Sequence, residues 1–378
     1  MSEARSFLNL ASVDRAGLTD LHLDAKGQVT AAPIAGAEIT DCRGAYLSAG
    51  WADLHVHVWH GGSDVSVRPE RAGMARGVTA MADAGSAGEG SFHGFREYVI
   101  DQRPETIKAF INIGSIGLVA CNRVPELLDH RFINIERTLA AIEANRDVIC
   151  GVKVRASGLV VGNWGIEPLK IGRYVAEITG LPLMVHVGEA PPLLEEVFGL
   201  LRPGDVVTHC FNGKASGSVL ATPRLFDMAT ELAAQGVLMD VGHGGASYDF
   251  AVAEKAIASG LTPFSISTDM HLRNVGGPVF DLATTASKLF AAGLSLTDTV
   301  RAITTGPRGF LGLNDLDLTP GAKADFTIFT LDDTDQAVFD SAGNTRVLKQ
   351  MLQPQWCLLG AQAIRVPQSL QRQEAAPC

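Results

Sequence analysis

Between Gly50 and Asp269, short apolar and β-branched runs alternate with longer stretches whose apolar positions recur at helical spacing. The short runs fall at 51–57, 78–83, 109–114, 150–155, 183–187, 206–209, 237–241 and 264–269. Helical segments between them include 135–144, 169–179, 223–234 and 251–258. Runs this apolar suit strands buried on both faces, and the helices supply the crossovers that parallel strands require. Eight such strands predict a closed (β/α)8 barrel, the TIM barrel, with helices at 281–292 and 297–303 completing it. The rival arrangement, an open doubly wound sheet, would normally carry a glycine-rich phosphate turn after an early strand. No convincing G-x-G-x-x-G or G-x-x-x-x-G-K-[ST] pattern occurs.

The chain ends read differently. Stretches 6–46 and 317–366 alternate strand-like pieces with turns such as Lys26-Gly27 and Pro320-Gly321, which predicts a small β-sandwich domain built from both termini. The expected boundaries are 1–48 and 316–378 for this domain and 49–315 for the barrel, with 368–378 as a polar tail. A length of 378 residues accommodates both units.

Composition narrows the function classes. A hydrophobic share of 46% against 19% charged is that of a globular protein, and no apolar run of about 18 residues reads as a spanning helix, so no membrane role is expected. Residues 1–11 lack the basic start and apolar stretch of a secretory signal, which points to the cytoplasm. A net charge of −10 would repel a phosphate backbone, so the expected partner is a small-molecule substrate rather than nucleic acid. Self-association into a homo-oligomer is compatible with these features. Cys42, Cys121, Cys150, Cys210, Cys357 and Cys378 have no close-pair spacing, which fits neither a disulfide framework nor a thiolate zinc site.

The chemistry concentrates at strand ends. In His55-Val56-His57 both imidazoles share one face of a strand, and the motif closes the first barrel strand, where barrel enzymes keep their reactive groups. Alone, such a motif is weak. Lys153 lies on the fourth strand, however, and His186, His209 and Asp269 end the fifth, sixth and eighth. Imidazole and carboxylate converging without thiolates suit an open catalytic zinc site.

These positions resemble the amidohydrolase superfamily, specifically its two-metal members similar to dihydroorotases and N-acyl-D-amino-acid deacetylases. The resemblance spans nearly the whole chain. It rests on Gly50-Trp51-Ala52-Asp53-Leu54-His55-Val56-His57, Gly151-Val152-Lys153-Val154-Arg155, His186, His209, Ser267-Thr268-Asp269 and Gly321-Ala322-Lys323-Ala324-Asp325-Phe326. It implies two divalent metal ions, zinc by preference, one held by His55, His57 and Asp269 and the other by His186 and His209. Lys153 would join them. An ammonium has no lone pair for a cation, so that role implies N6-carboxylation of the lysine to a carbamate. A hydroxide bridging the two ions would be the nucleophile, with Asp269 as general base and acid.

Substrate contacts are less sharply marked. Arg155 lies two residues beyond Lys153 and faces the lumen if the strand is regular, so it is expected to meet an oxyanion or a substrate carboxylate; a structural salt bridge is the competing role. His243, before Gly244-Gly245, is a second substrate-contact expectation, and Asn212, Lys214, His271 and Arg273 are further loop residues near the mouth. The segments His186-Val187-Gly188-Glu189-Ala190-Pro191-Pro192 and His209-Cys210-Phe211-Asn212-Gly213 resemble deacetylase-type enzymes, so the expected activity is deacylation, chiefly deacetylation, of N-acyl amino acids or acyl esters of small hydroxy acids. Three alternatives remain: dihydroorotase-like opening of a cyclic amide, a one-metal deaminase using Glu189, and a catalytically silent binding homologue. Two positions depart from common family patterns: Ala49 stands where proline is frequent, and Gly306-Pro307-Arg308 replaces asparagine-proline-alanine.

Overall fold

The computed structural model describes residues 3–14, 16–121 and 123–367; Cys378 and the polar stretch 368–378 lie outside the described residues. Seven barrel strands follow one another in the chain and pair in parallel with their sequence neighbours: β1 (Trp51–Val56), β2 (Val78–Gly88), β3 (Thr106–Asn112), β4 (Ile149–Ala156), β5 (Leu183–Val187), β6 (Val206–Thr208) and β7 (Leu238–Asp240). Helices Ile135–Ala144, Glu167–Thr179, Pro223–Ala234 and Phe250–Ala258 lie where the periodicity predicts them. Their side chains pack on the outward positions of the strands in one large core that includes Val152, Val154, Val185 and Val207.

The predicted eighth strand, 264–269, closes the barrel through two isolated bridges, Asp240 with Ser265 and Val56 with Met270, rather than through a continuous ladder. Its side chains explain the difference. Ser265 and Ser267 donate their hydroxyls to Asp240, and Thr268 donates to Asp53, so local hydroxyl bonds take the place of a regular strand.

The lumen is filled in layers. Ala52, Leu54, Ala80, Ala82, Phe110, Met184 and Val206 form an apolar floor, and the polar groups stand above it. β1 changes face on the way up. Its register with β2 shifts between Asp53 and Val56, so Leu54 joins the floor, Val56 packs in the outer core, and His55 and His57 both reach the lumen.

The terminal segments form one eight-stranded sheet. Tyr46–Ala49 pairs antiparallel with Asp325–Asp333, which joins the two ends of the chain immediately before β1. The far edge, Val29–Thr30, is tied back by the Gln28 and Lys323 bridge and by the Val29 N–H to the Ala322 carbonyl at 2.8 Å. The sheet thereby wraps round Phe7, Leu21, Leu47, Phe326, Ile328 and Leu358, and the two layers expected of a sandwich are halves of a single sheet. A hairpin of Ala337–Phe339 and Thr345–Val347 leaves this sheet and places Val338 and Leu348 in the barrel's outer core. Among the described residues no helix is long and apolar enough to cross a membrane.

Arg308, one of the departures from the family pattern, fastens the two units together. Its side chain is 2% exposed; it donates to the Gly50 carbonyl at 2.9 Å and the Asn314 carbonyl at 2.6 Å, and pairs with Asp325 at 2.7 Å. Asp325 is partly exposed and keeps the Thr79 hydroxyl, so the loss on removing Arg308 is that of its charged hydrogen bonds, about 1.5–3 kcal/mol. Arg308→Met is therefore expected to lower unfolding free energy by about 2 kcal/mol in urea denaturation; a loss within about 0.5 kcal/mol, the scale of a surface change, would show that the joint does not depend on it.

Candidate metal centre

The C-terminal ends of the barrel strands surround a cavity of about 350 Å³ lined by His55, His57, Lys153, Arg155, His186 and Asp269. One ligand atom each from His55, His57 and Asp269 lies within 4.8 Å of the others, a grouping able to hold a metal ion. His55 Nε2 stands 3.3 Å and His57 Nε2 3.0 Å from the same oxygen, Asp269 Oδ1. His209 completes the chain of imidazoles, its ring centroid 5.1 Å from that of His55 and 4.3 Å from that of His186.

The backs of the rings are held. His209 Nδ1 lies 2.6 Å from the Gly242 carbonyl, which only accepts, so Nδ1 carries the proton and Nε2 keeps its lone pair. For His55 the same result follows in two steps. Thr208 donates its hydroxyl proton to Asp240 Oδ2 at 2.7 Å, so its oxygen accepts from His55 Nδ1 at 2.8 Å. In a neutral ring His55 Nε2 thus presents a lone pair to a carboxylate oxygen 3.3 Å away. Two buried acceptors facing each other need a proton or a metal cation between them, and the donor set fits a divalent metal ion. His57 Nδ1 rests against Ser86 Oγ at 2.8 Å.

Electrostatics follow from this arrangement. Burial and Lys153 oppose charge on His55, yet Asp269 and Asp240 hold its pKa above the ordinary histidine value. Burial pushes the Asp269 carboxyl up, but His55 and His57 outweigh it and hold the group well below the usual carboxylate range. His186 and His209 are kept neutral, by burial first, then by His209 acting on His186 and by His55 and Lys153 acting on His209. Burial also brings Lys153 down to about 7 against the pull of Asp269 and Asp240. Its Nζ sits over the floor, 3.4 Å from Met184 Sδ.

Backbone strain marks the same place. His209 and Asp269 adopt φ of 70° and 48°, the left-handed region that non-glycine residues avoid, at a cost of about 1–3 kcal/mol each. Gly242 allows the close approach, because a Cβ there would stand 2.3 Å from Thr208 Oγ1 and 2.9 Å from His209 Nδ1.

The other expected residues divide. Arg155 lines the cavity and also pairs with the fully buried Glu126 at 3.2 Å, the salt bridge that is its competing role. Lys214, His271 and Arg273 line the cavity, whereas Asn212 is buried with its Nδ2 on the His209 and Gly217 carbonyls. His243 does not reach the cavity. It is fully buried, stacked on Tyr248, with Nδ1 on the Gly244 carbonyl and Nε2 against Lys288; its ring is needed behind the wall that Gly245, Ala246 and Ser247 present. Sequence reasoning missed Thr208, Asp240 and Glu126. Asp240 carries a signal, an acid inside the apolar run Val237-Leu238-Met239-Asp240-Val241, while Glu126 lies in an irregular segment with none.

The chain is also similar to known proteins. Residues 318–363 match the family model described as a deacetylase-like composite domain. A deacetylase of Agrobacterium fabrum is 49% identical over 363 residues, covering 94% of this chain and 88% of the relative. A deacetylase of Enterococcus faecalis is 39% identical over 324 residues, covering 84% and 86%. The crystal structure of a dihydroorotase superposes with a TM-score of 0.92 at 46% identity over 97% of this chain and 98% of that one. That of an adenine deaminase gives 0.87 at 33% over 96% and 100%. With the barrel, the wrapped terminal sheet and these relatives together, the chain belongs to the amidohydrolase superfamily of hydrolases, within the family of these deacetylases.

Proposed function

We propose that this chain is a cytoplasmic metal-dependent deacetylase that removes the acyl group from N-acyl amino acids or acyl esters of small hydroxy acids. The observation that carries the proposal is the buried convergence of His55 Nε2 and His57 Nε2 on Asp269 Oδ1, a donor set that fits a divalent cation. His55, His57 and Asp269 would hold one divalent ion, zinc by preference, His186 and His209 a second, and N6-carboxylated Lys153 would join the two. Such ions supply Lewis acidity, lowering the pKa of water and polarising the scissile carbonyl.

The chain's own groups do the remaining work. Asp269, held ionised, accepts a proton from the attacking water and returns it to the departing amine or alkoxide. Arg155, anchored by Glu126, presents positive charge for the acid's carboxylate or the developing oxyanion. Lys153 is suited to carboxylation because burial favours its neutral amine, which attacks carbon dioxide and releases one proton to give the carbamate. A cavity of about 350 Å³ suits a small acylated acid and excludes a polymer from the reacting groups. The deaminase alternative would require Glu189 as a proton carrier. Its carboxylate is instead engaged by Ser157 at 2.7 Å and Lys214 at 3.0 Å, and the deacetylase relatives favour deacylation.

The decisive assay is acetate release by zinc-loaded protein from N-acetyl-D- and N-acetyl-L-amino acids and acetylated hydroxy acids, with cyclic ureides as the competing substrates. Turnover of the acetylated acids supports the proposal; ring opening alone would replace it. Lys153→Ala is expected to drop metal content from about two ions per chain towards one or none, and Asp269→Asn to lower kcat by at least about 100-fold, the scale of general acid–base catalysis. Thr208→Val, which removes the acceptor for His55 Nδ1, should weaken zinc binding about 10- to 100-fold, with Thr208→Ser close to wild type; equal affinities would separate the relay from metal binding. Reactivation of stripped protein by zinc at fixed dissolved carbon dioxide should slow about tenfold for each pH unit below about 7, as Lys153 becomes protonated. A rate independent of pH would count against the carbamate.

A further inference from the structure

Lys288, on the helix Leu282–Ala291, is fully buried and takes no part in the chemistry above. Its Nζ donates to His243 Nε2 at 2.9 Å, the Pro278 carbonyl at 2.7 Å and the Phe339 carbonyl at 2.6 Å. An ammonium has three protons to give, and three acceptors take them. Because His243 Nε2 accepts, the ring carries its proton on Nδ1, which donates to the Gly244 carbonyl at 2.9 Å. A neutral amine has two protons for these three acceptors, so it would leave one carbonyl unmatched or force the other tautomer on His243.

Phe339 ends one strand of the hairpin that leaves the terminal sheet, and the hairpin's turn brings in a second contact. Ser341 Oγ donates to the Gly244 carbonyl at 3.1 Å and accepts from the Tyr248 N–H at 3.1 Å. Asp340 stiffens the turn by accepting the Ala342 and Asn344 N–H groups at 2.9 and 2.8 Å. The backbone turn at residues 242–244 is therefore gripped from behind by two groups distant in sequence.

Its other side faces the centre. The Gly242 carbonyl accepts from His209 Nδ1, and Gly244, at φ +58°, lies so close to Asp269 that a Cβ there would stand 2.4 Å from Oδ2. The His243 and Gly244 N–H groups donate to the Ser267 and Thr268 carbonyls at 3.0 and 2.9 Å, in the two residues that lead into Asp269.

We infer that Lys288 and Ser341 are positioning residues: they pin the 242–244 turn, and the turn sets where His209 and Asp269 stand. The inference rests on the reading of those two side chains as metal ligands. It assigns a role to the C-terminal hairpin, which completes the barrel's site without touching it.

Cobalt(II) is a suitable probe because its visible absorption reports ligand geometry as well as occupancy. Full-length protein stripped by a chelator is titrated with cobalt(II), and its thermal midpoint is recorded in parallel. Ser341→Ala and Lys288→Met are each expected to bind cobalt about 10-fold more weakly, with a changed visible band, while Ser341→Thr stays at wild type. A lowered thermal midpoint with unchanged affinity and spectrum would make both groups merely structural and overturn the inference. If Lys288→Met does not fold, the comparison of Ser341→Ala with Ser341→Thr decides alone. Wild-type protein that takes up no cobalt would overturn the metal reading and this inference with it, a failure visible before any substitution is made.

Discussion

The upper half of the barrel is organised by a conflict between buried acceptors. Asp269 Oδ1 stands about hydrogen-bonding distance from two imidazole nitrogens, and the one proton of a neutral His55 ring is committed elsewhere, to the Thr208 and Asp240 relay. In a low-dielectric interior such an arrangement persists only if positive charge occupies the gap. Much of the surrounding structure maintains the conflict. The bulge in β1 turns His55 and His57 inward, the left-handed backbone at His209 and Asp269 aims their side chains, and Gly242 gives them room.

That conflict also explains the hydroxyl groups beneath the site. Asp240 is fully buried and accepts from Ser265, Ser267 and Thr208, so its charge is spread over three short donors while its position fixes His55. The eighth barrel segment gives up a regular ladder to supply two of those donors. Regularity is exchanged for the placement of one carboxylate, a common bargain near reactive centres.

Much of this was legible in the chain. Apolar runs located seven strands within a few residues, since buried parallel strands leave a continuous signal. The strand-end rule gathers His55, His57, Lys153, His186, His209 and Asp269 from the sequence alone. The rest depends on three dimensions. Period-two alternation places His55 and His57 together but does not reveal the bulge that sends Leu54 to the floor. A histidine beside two glycines looks like a substrate contact, yet His243 is buried because Lys288 and Tyr248, 45 and 5 residues away, enclose it. Glu126 pairs with Arg155 across 29 residues, a partnership no local pattern encodes.

The joining of the two chain ends sets an order of events during synthesis. Tyr46–Ala49, which leads directly into the first barrel strand, finds its antiparallel neighbour only in Asp325–Asp333. On a ribosome, nearly the whole barrel emerges while that strand edge still lacks its mate, and contacts of such long sequence separation form slowly. The nascent chain must therefore keep an open sheet margin from pairing with neighbouring copies until Asp325–Asp333 emerges, which makes the interval before then the period of greatest exposure to aggregation.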